Sequence, residues 1–245
     1  MSNSLVIIPT YNEIENIDAI IERVFSLKES FDILIVDDGS PDGTADRVKQ
    51  LQISHENRLF LLERKQKSGL GKAYIAGFKW ALNRTYYLIA EMDADFSHPP
   101  EKLVDMLALC NSGQADVVIG SRYTEGGAVV NWPKIRLFLS RGASFYVQSI
   151  TGMPVMDPTA GFVAYKRKVL ETINLDHIKF AGYAFQIEMK YAAFKLGFKL
   201  VEIPILFPDR TKGKSKMNIL IIREALLGVF SMRFFRSTKN YRKEY

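Results

Sequence analysis

The sequence predicts a single α/β domain built on a mostly parallel central sheet, and three observations carry that expectation. Apolar runs alternate with helix-patterned segments from the first residues onward, the signature of successive βαβ units. The runs Ile33–Asp38 and Tyr87–Asp95 are nearly continuous in apolar residues, as strands buried on both faces are. Both end in acids, Asp37-Asp38 and Asp93-Ala94-Asp95, and in open parallel sheets ligands bind at the carboxyl ends of the strands.

Taken in order, Leu5 to Ile8 is a strand, and a helix follows from about Glu15 to Leu27. Ile33 to Val36 is the second strand and Gly43 to Leu51 a helix. Leu59 to Leu62 precedes a helix over Gly71 to Leu82, then the strand ending at Asp93. Pro100 suits the first turn of a helix running to Cys110, and Asp116 to Ile119 is the next strand. Past Gly120 the pattern changes. Trp132 to Ile150 is helical, and Asp157 to Tyr165 holds a loop entering a short strand. Ala184 to Leu196 is a helix, Phe198 to Ile203 a strand, and 204–216 a basic loop. No linker rich in Gly, Ser or Pro interrupts the chain. We expect a catalytic domain over 1–216, with 1–120 binding a nucleotide and 121–216 supplying acceptor groups and a lid loop. A basic amphipathic helix and tail follow over 217–245.

Composition narrows the chemistry. The 245 residues include one cysteine, so there is no internal disulfide, and three histidines, too few with one cysteine for a His/Cys zinc cage. Any metal is therefore expected to have oxygen ligands. The net charge of +6 is uneven: 209–245 carries ten Lys/Arg against three Asp/Glu, a net of +7, which leaves −1 for the rest. A basic tail on a neutral body points to an anionic partner, phosphates or a membrane surface. The N-terminus has no signal-peptide pattern, and the apolar stretch Met217 to Phe235 is broken by Arg223-Glu224 and Arg233, which favours lying on a membrane, or packing on the core or in a dimer, over crossing a membrane. Ile219, Ile222, Leu226, Val229 and Phe230 fall at helical spacing there.

The motifs converge on a nucleotide diphosphate. The Asp93-x-Asp95 spacing lets one strand end offer two carboxylates to a hard cation, which typically also holds substrate phosphates. Tyr11 and Glu13 follow the first strand, Tyr11 placed to stack on a base and Glu13 to accept from ribose or base donors, and Asp38 stands beside them. Arg122, after the fifth strand, suits a bidentate phosphate grip. Arg210, Lys212, Lys214 and Lys216 surround Gly213 in a loop able to close over a pyrophosphate. Gly69-Leu-Gly-Lys72 is not a P-loop, because Gln66 stands where the first glycine belongs and Ala73 where Ser or Thr does.

Pro-Thr-Tyr-Asn-Glu13, Val-Asp-Asp-Gly-Ser-Pro-Asp-Gly-Thr44, Met-Asp-Ala-Asp-Phe-Ser-His98, Gly-Ser-Arg-Tyr123, Ser-Arg-Gly-Ala143 and Gly-Tyr-Ala-Phe-Gln-Ile-Glu-Met189 occur in that order. Together they resemble the family-two inverting glycosyltransferases of GT-A (Rossmann-like) fold, in particular the polyprenol (dolichyl) monophosphate mannose synthases. The resemblance implies transfer of mannose from GDP-mannose to a polyprenyl phosphate. Pro9, Tyr11, Glu13, Val36, Asp38 and Ala94 would hold the donor, with Arg210 and Lys216 on its phosphates. Asp93, Asp95 and Ser97 would bind Mg²⁺ or Mn²⁺, and Arg122, Arg136 and Ser140 the lipid phosphate; Asp95 and Arg122 carry catalysis. It implies peripheral association with the cytoplasmic face of a membrane, with an anchoring partner or a homodimer. A different donor such as UDP-glucose or a different acceptor, a nucleotidyltransferase and a non-catalytic membrane subunit are the competing readings.

Overall fold

A computed structural model of the chain describes residues 2–208 and 228–243. Its first half is a regular alternation. Strands β1 (Ser4–Thr10), β2 (Asp32–Asp37), β3 (Leu59–Glu63) and β4 (Leu88–Glu91) are separated by helices α1 (Ile17–Phe25), α2 (Thr44–Ser54) and α3 (Leu70–Leu82). Helix α4 (Lys102–Asn111) leads to β5 (Val117–Ser121), then come β6 (Ala128–Val130) and the long α5 (Lys134–Thr151). The second half adds β7 (Val163–Lys166), α6 (Arg167–Thr172), α7 (Tyr183–Lys195), β8 (Leu200–Pro204) and β9 (Leu206–Pro208). A short α8 (Thr238–Tyr241) lies near the end.

Among the described residues seven strands form one sheet in the order β3-β2-β1-β4-β7-β5-β8, and of these only β7 runs antiparallel to its neighbours. The strand alternation feeds two cores. Leu5, Ile7, Leu34 and Val36 face the layer that contains α3 and α7, whereas Val6, Ile8, Ile33 and Ile35 face α1, α2 and α4. Burial on both faces is why these strands read as unbroken apolar runs. β6 and β9 pair as a separate parallel ribbon.

The α/β expectation holds, and several details differ. β4 stops at Glu91, two residues short of the predicted end, so Asp93 and Asp95 lie in the following loop. The strand after Asp157 turns out to be the antiparallel one, and β6, α6 and β9 are additions; all are three to six residues long, too short for periodicity to reveal.

Helix α5 begins after Pro133 and ends at Gly152, whose φ of 68° places it in the left-handed conformation that commonly closes helices. Only Ser144, Val147 and Thr151 of its 18 residues are buried. At the other end of the chain, residues 228–234 are helical. Val229, Met232 and Tyr241 enter the core, Arg236 pairs with the buried Glu188, and the Lys243 amide donates to the Thr172 carbonyl at 2.9 Å. This stretch is thus docked on the domain. No helix among the described residues is long and apolar enough to cross a membrane.

Candidate active site

The carboxyl ends of β1, β2, β4 and β5 all open on one edge of the sheet, because the single reversed strand β7 leaves β4 and β5 parallel to each other. At its β1/β2 end the loop bearing Tyr11 and Glu13 is fastened by its backbone. The amides of Asn12, Glu13 and Ile14 donate to Ser40 Oγ, Thr44 Oγ1 and Asp42 at 3.0, 3.1 and 3.1 Å. The segment Asp38–Thr44 is therefore more than a turn: its side chains hold the neighbouring loop. Asp37 accepts from Thr10 Oγ1, from Ser40 Oγ and from the amides of Gly39 and Ser40, which makes it the organiser of this corner.

Asp38, the acid predicted for donor binding, pairs with Arg64 at 2.6 Å. Burial raises its carboxyl above the usual range, and Arg64 opposes that shift. Lys67 Nζ stands 4.2 Å from the Tyr11 ring centroid, within cation–π range. Glu13 accepts from the Asn16 amide side chain at 2.9 Å. Val36, also predicted for donor binding, has no exposed side-chain surface and belongs to the core beneath this edge. Pro9 is half-buried at the end of β1, and Ala94 is buried.

The aspartate loop occupies the centre. Asp95 accepts from the Ser97 amide at 3.1 Å, closing a tight turn around Phe96, whose φ of 60° is strained for a bulky side chain. The Asp93 amide donates to His98 Nδ1 at 3.0 Å, which puts the proton of the neutral ring on Nε2. His98 is buried and stacks on Phe162 at 5.1 Å. The sequence offered no signal for this role, since His98 acts through a backbone atom.

Among the described residues no three His, Cys, Asp or Glu side chains gather to hold a metal ion. The ligands predicted from the sequence are two carboxylates, Asp93 and Asp95, with Ser97, whose hydroxyl is buried without a hydrogen-bond partner among the described residues. Few protein oxygens and one orphaned hydroxyl fit an ion that completes its shell with phosphate and water, as Mg²⁺ commonly does.

At the far end Arg122 makes a bidentate pair with Asp157, Nε and one Nη each at 2.7 Å, and donates also to Thr159 Oγ1 at 2.7 Å. Its guanidinium carbon lies 5.2, 5.6 and 5.4 Å from the rings of Tyr123, Trp132 and Phe207. Arg136 stacks on Trp132 at 3.7 Å, and the Tyr123 hydroxyl donates to Ser140 Oγ at 2.7 Å. The three predicted acceptor residues thus share one aromatic cluster. Contacts of Phe207 with both His98 and Trp132, each at 5.7 Å, join it to the aspartate loop. The predicted Arg210 and Lys216 lie outside the described residues.

Under the sheet edge, sequence reasoning missed a buried polar chain. Gln186 donates to Glu91, and Lys190 Nζ donates to the carbonyls of Ala160 and Gln186 at 2.6 and 3.0 Å. Burial pushes the Glu91 carboxyl up to about 8 and the Lys190 ammonium down to about 8.

A doubly wound sheet with an aspartate loop at its centre and arginines on the same edge is the layout of a GT-A glycosyltransferase. The chain belongs to Glycosyl transferase family 2, whose profile matches residues 5–173. It is 48% identical over 226 residues to the polyprenol monophosphomannose synthase of Mycolicibacterium smegmatis, covering 92% of this chain and 85% of that protein. It is 44% identical to the undecaprenyl-phosphate mannosyltransferase of Micrococcus luteus, covering 92% and 91%. Among solved structures, glucosyl-3-phosphoglycerate synthase from Mycobacterium tuberculosis with Mn²⁺, UDP and glucosyl-3-phosphoglycerate superposes with a TM-score of 0.68 at 16% identity, covering 94% of this chain and 79% of that one. A mannosyltransferase from Pyrobaculum calidifontis with GDP-Man and Mn²⁺ gives 0.58 at 15% identity, covering 94% and 69%. These two likenesses concern the fold.

Proposed function

We propose that this enzyme transfers mannose from GDP-mannose to a polyprenyl phosphate with inversion at the anomeric carbon, releasing GDP. One observation carries the reading: nucleoside-binding candidates, paired aspartates and an arginine–aromatic cluster follow one another along a single sheet edge, in the order such a reaction needs. The names of the two relatives agree with it in both sugar and lipid acceptor.

On this reading Tyr11, Glu13 and Asp38 hold the nucleoside. Lys67 leaves the Tyr11 face that a base would take. Asp93 and Asp95, with Ser97, would hold Mg²⁺ or Mn²⁺, which would supply charge neutralisation for the departing diphosphate. Arg122 and Arg136 bind the acceptor phosphate and aim one of its oxygens at the anomeric carbon. A phosphate monoester is largely dianionic near neutrality, with a second pKa of about 6, so the attack demands no strong general base. Alignment and charge stabilisation supply most of the acceleration.

The lipid acceptor places the protein on a membrane surface, and two exposed apolar features support that. Ile135, Phe138, Leu139 and Phe145 of α5 follow helical spacing and are 61–74% exposed, with Arg136 and Arg141 on the same helix. Phe234 and Phe235 are 59% and 76% exposed beside Arg233 and Arg236. Apolar stripes flanked by cations suit an anionic interface.

Purified protein with Mn²⁺, a panel of sugar nucleotides and a short polyprenyl phosphate tests the assignment. The expected product is a mannosyl phospholipid with stoichiometric GDP. Transfer from UDP-glucose alone, or release of pyrophosphate, would overturn it.

A further inference from the structure

We propose that Asp157, held from both sides by Glu202 and Lys190, is the positioning residue that aims Arg122 at the acceptor phosphate. The inference rests on the reading of Arg122 given above and deepens it.

The chain from Met156 to Ala160 has no regular structure, yet it is fixed at both ends. On one side the Glu202 carboxylate of β8 accepts from the amides of Met156 and Asp157 at 2.6 and 2.9 Å. On the other, the fully buried Lys190 of α7 donates to the Ala160 carbonyl at 2.6 Å. Between these ties Asp157 is buried and accepts three bonds from a single residue. They come from the Arg122 amide at 3.0 Å and from two guanidinium nitrogens at 2.7 Å each. Thr159, in the same segment, adds a fourth contact to Arg122.

A guanidinium on a three-carbon stem has many rotamers, and a fork-on-fork carboxylate selects one of them. The bond to the Arg122 main chain fixes the root of that stem while the bidentate pair fixes its tip. Burial alone would raise the Asp157 carboxyl, but the adjacent Arg122 holds it below the usual carboxylate range, so the pair is charged throughout the physiological range. Arg122 thus arrives pre-oriented within its aromatic frame, and little ordering entropy is left for acceptor binding. Phosphate contact remains the work of Arg122; Asp157 acts through it.

Steady-state kinetics with varied polyprenyl phosphate and varied GDP-mannose separates the roles. Arg122→Lys should raise KM for the lipid phosphate at least 10-fold and leave KM for the donor within about twofold, since a 1 Å misplacement can cost ~100-fold. Asp157→Asn should show the same split. Once Arg122 is Lys, adding Asp157→Asn should have little further effect, because the two act as one unit. Glu202→Gln keeps the Arg122–Asp157 pair intact and should raise the acceptor KM by a smaller factor. It also answers the question if Asp157→Asn fails to fold. An unchanged acceptor KM in Asp157→Asn, or in Glu202→Gln where that variant has to stand in, overturns the inference. So do single-variant effects that multiply in the double variant, or equal rises in both KM values. If Arg122→Lys itself leaves the acceptor KM unchanged, the parent reading of Arg122 fails, which is a separate result.

Discussion

Asp95 shows how much one side chain is asked to do. Its Oδ1 already accepts from the Ser97 amide, so the loop geometry and the proposed cation draw on the same carboxylate. Asp95→Asn preserves an oxygen for the turn and removes the charge. Turnover at saturating substrates, followed as GDP release, should fall by roughly 10²–10³, the scale of a lost charge-stabilising contact at a transition state. Thermal stability should change little. Glu91, four residues earlier, behaves oppositely. Its carboxyl is raised to about 8 from an ordinary 4.5 by burial. Between those values the folded state holds a proton that the unfolded chain has released, so this group makes stability decline as pH rises, by up to ~1.4 kcal/mol per unit. Glu91→Gln removes that decline. Melting curves in the absence of metal should show the variant gaining on the parent from pH 5 to pH 8, with no further gain above; a constant offset would contradict the assignment.

At the scale of elements, regular periodicity was readable and local geometry was not. The strands feeding two cores and the helices α1 to α4 follow directly from apolar spacing, and so does the edge that gathers Tyr11, Asp38, Asp93 and Arg122. Nothing in a linear pattern shows that Asp157 faces Arg122 across 35 residues, or that His98 seizes the Asp93 amide. Both depend on side-chain direction in irregular segments. Gly69-Leu-Gly71 is a third case: its glycines serve packing, since a Cβ on Gly71 would stand 2.7 Å from the Phe185 ring and 2.9 Å from the Phe180 carbonyl. Gly71→Ala should therefore loosen α3 against α7 at a cost of ~1–3 kcal/mol, read as a fall in Tm of a few degrees. Donor affinity in the folded fraction should be retained, which a phosphate-cradling loop would not allow. Helix α5 makes the complementary point, because its apolar stripe was legible as a helix but not as an exposed one. Replacing Phe138 and Leu139 by Ser should cut partition onto lipid vesicles at least 10-fold, given ~1.5–3 kcal/mol for each apolar side chain buried, and equal flotation would remove α5 from the interface.

Over the whole molecule the charge is as lopsided as the sequence implies, but the basic end is not a free tail. Val229, Met232 and Tyr241 sit in the same core as α7, and Arg236 neutralises the buried Glu188. Cutting the chain after Lys216 would therefore uncover core surface and strand a buried carboxylate, so lost lipid binding in such a truncation would report unfolding as readily as a missing anchor. Exposed cations give a cleaner test. Arg233→Gln with Lys239→Gln leaves every one of those core contacts in place. Each cation near an anionic surface contributes about 1 kcal/mol, so the pair should weaken binding to phosphatidylserine vesicles roughly 30-fold at low ionic strength. At 1 M salt, where the screening length is about 3 Å, parent and variant should converge on a residual affinity set by Phe234, Phe235 and the α5 stripe. Convergence on zero would mean that charge alone brings the enzyme to its lipid. A variant indistinguishable from the parent at low salt would move the interface to another face of the domain.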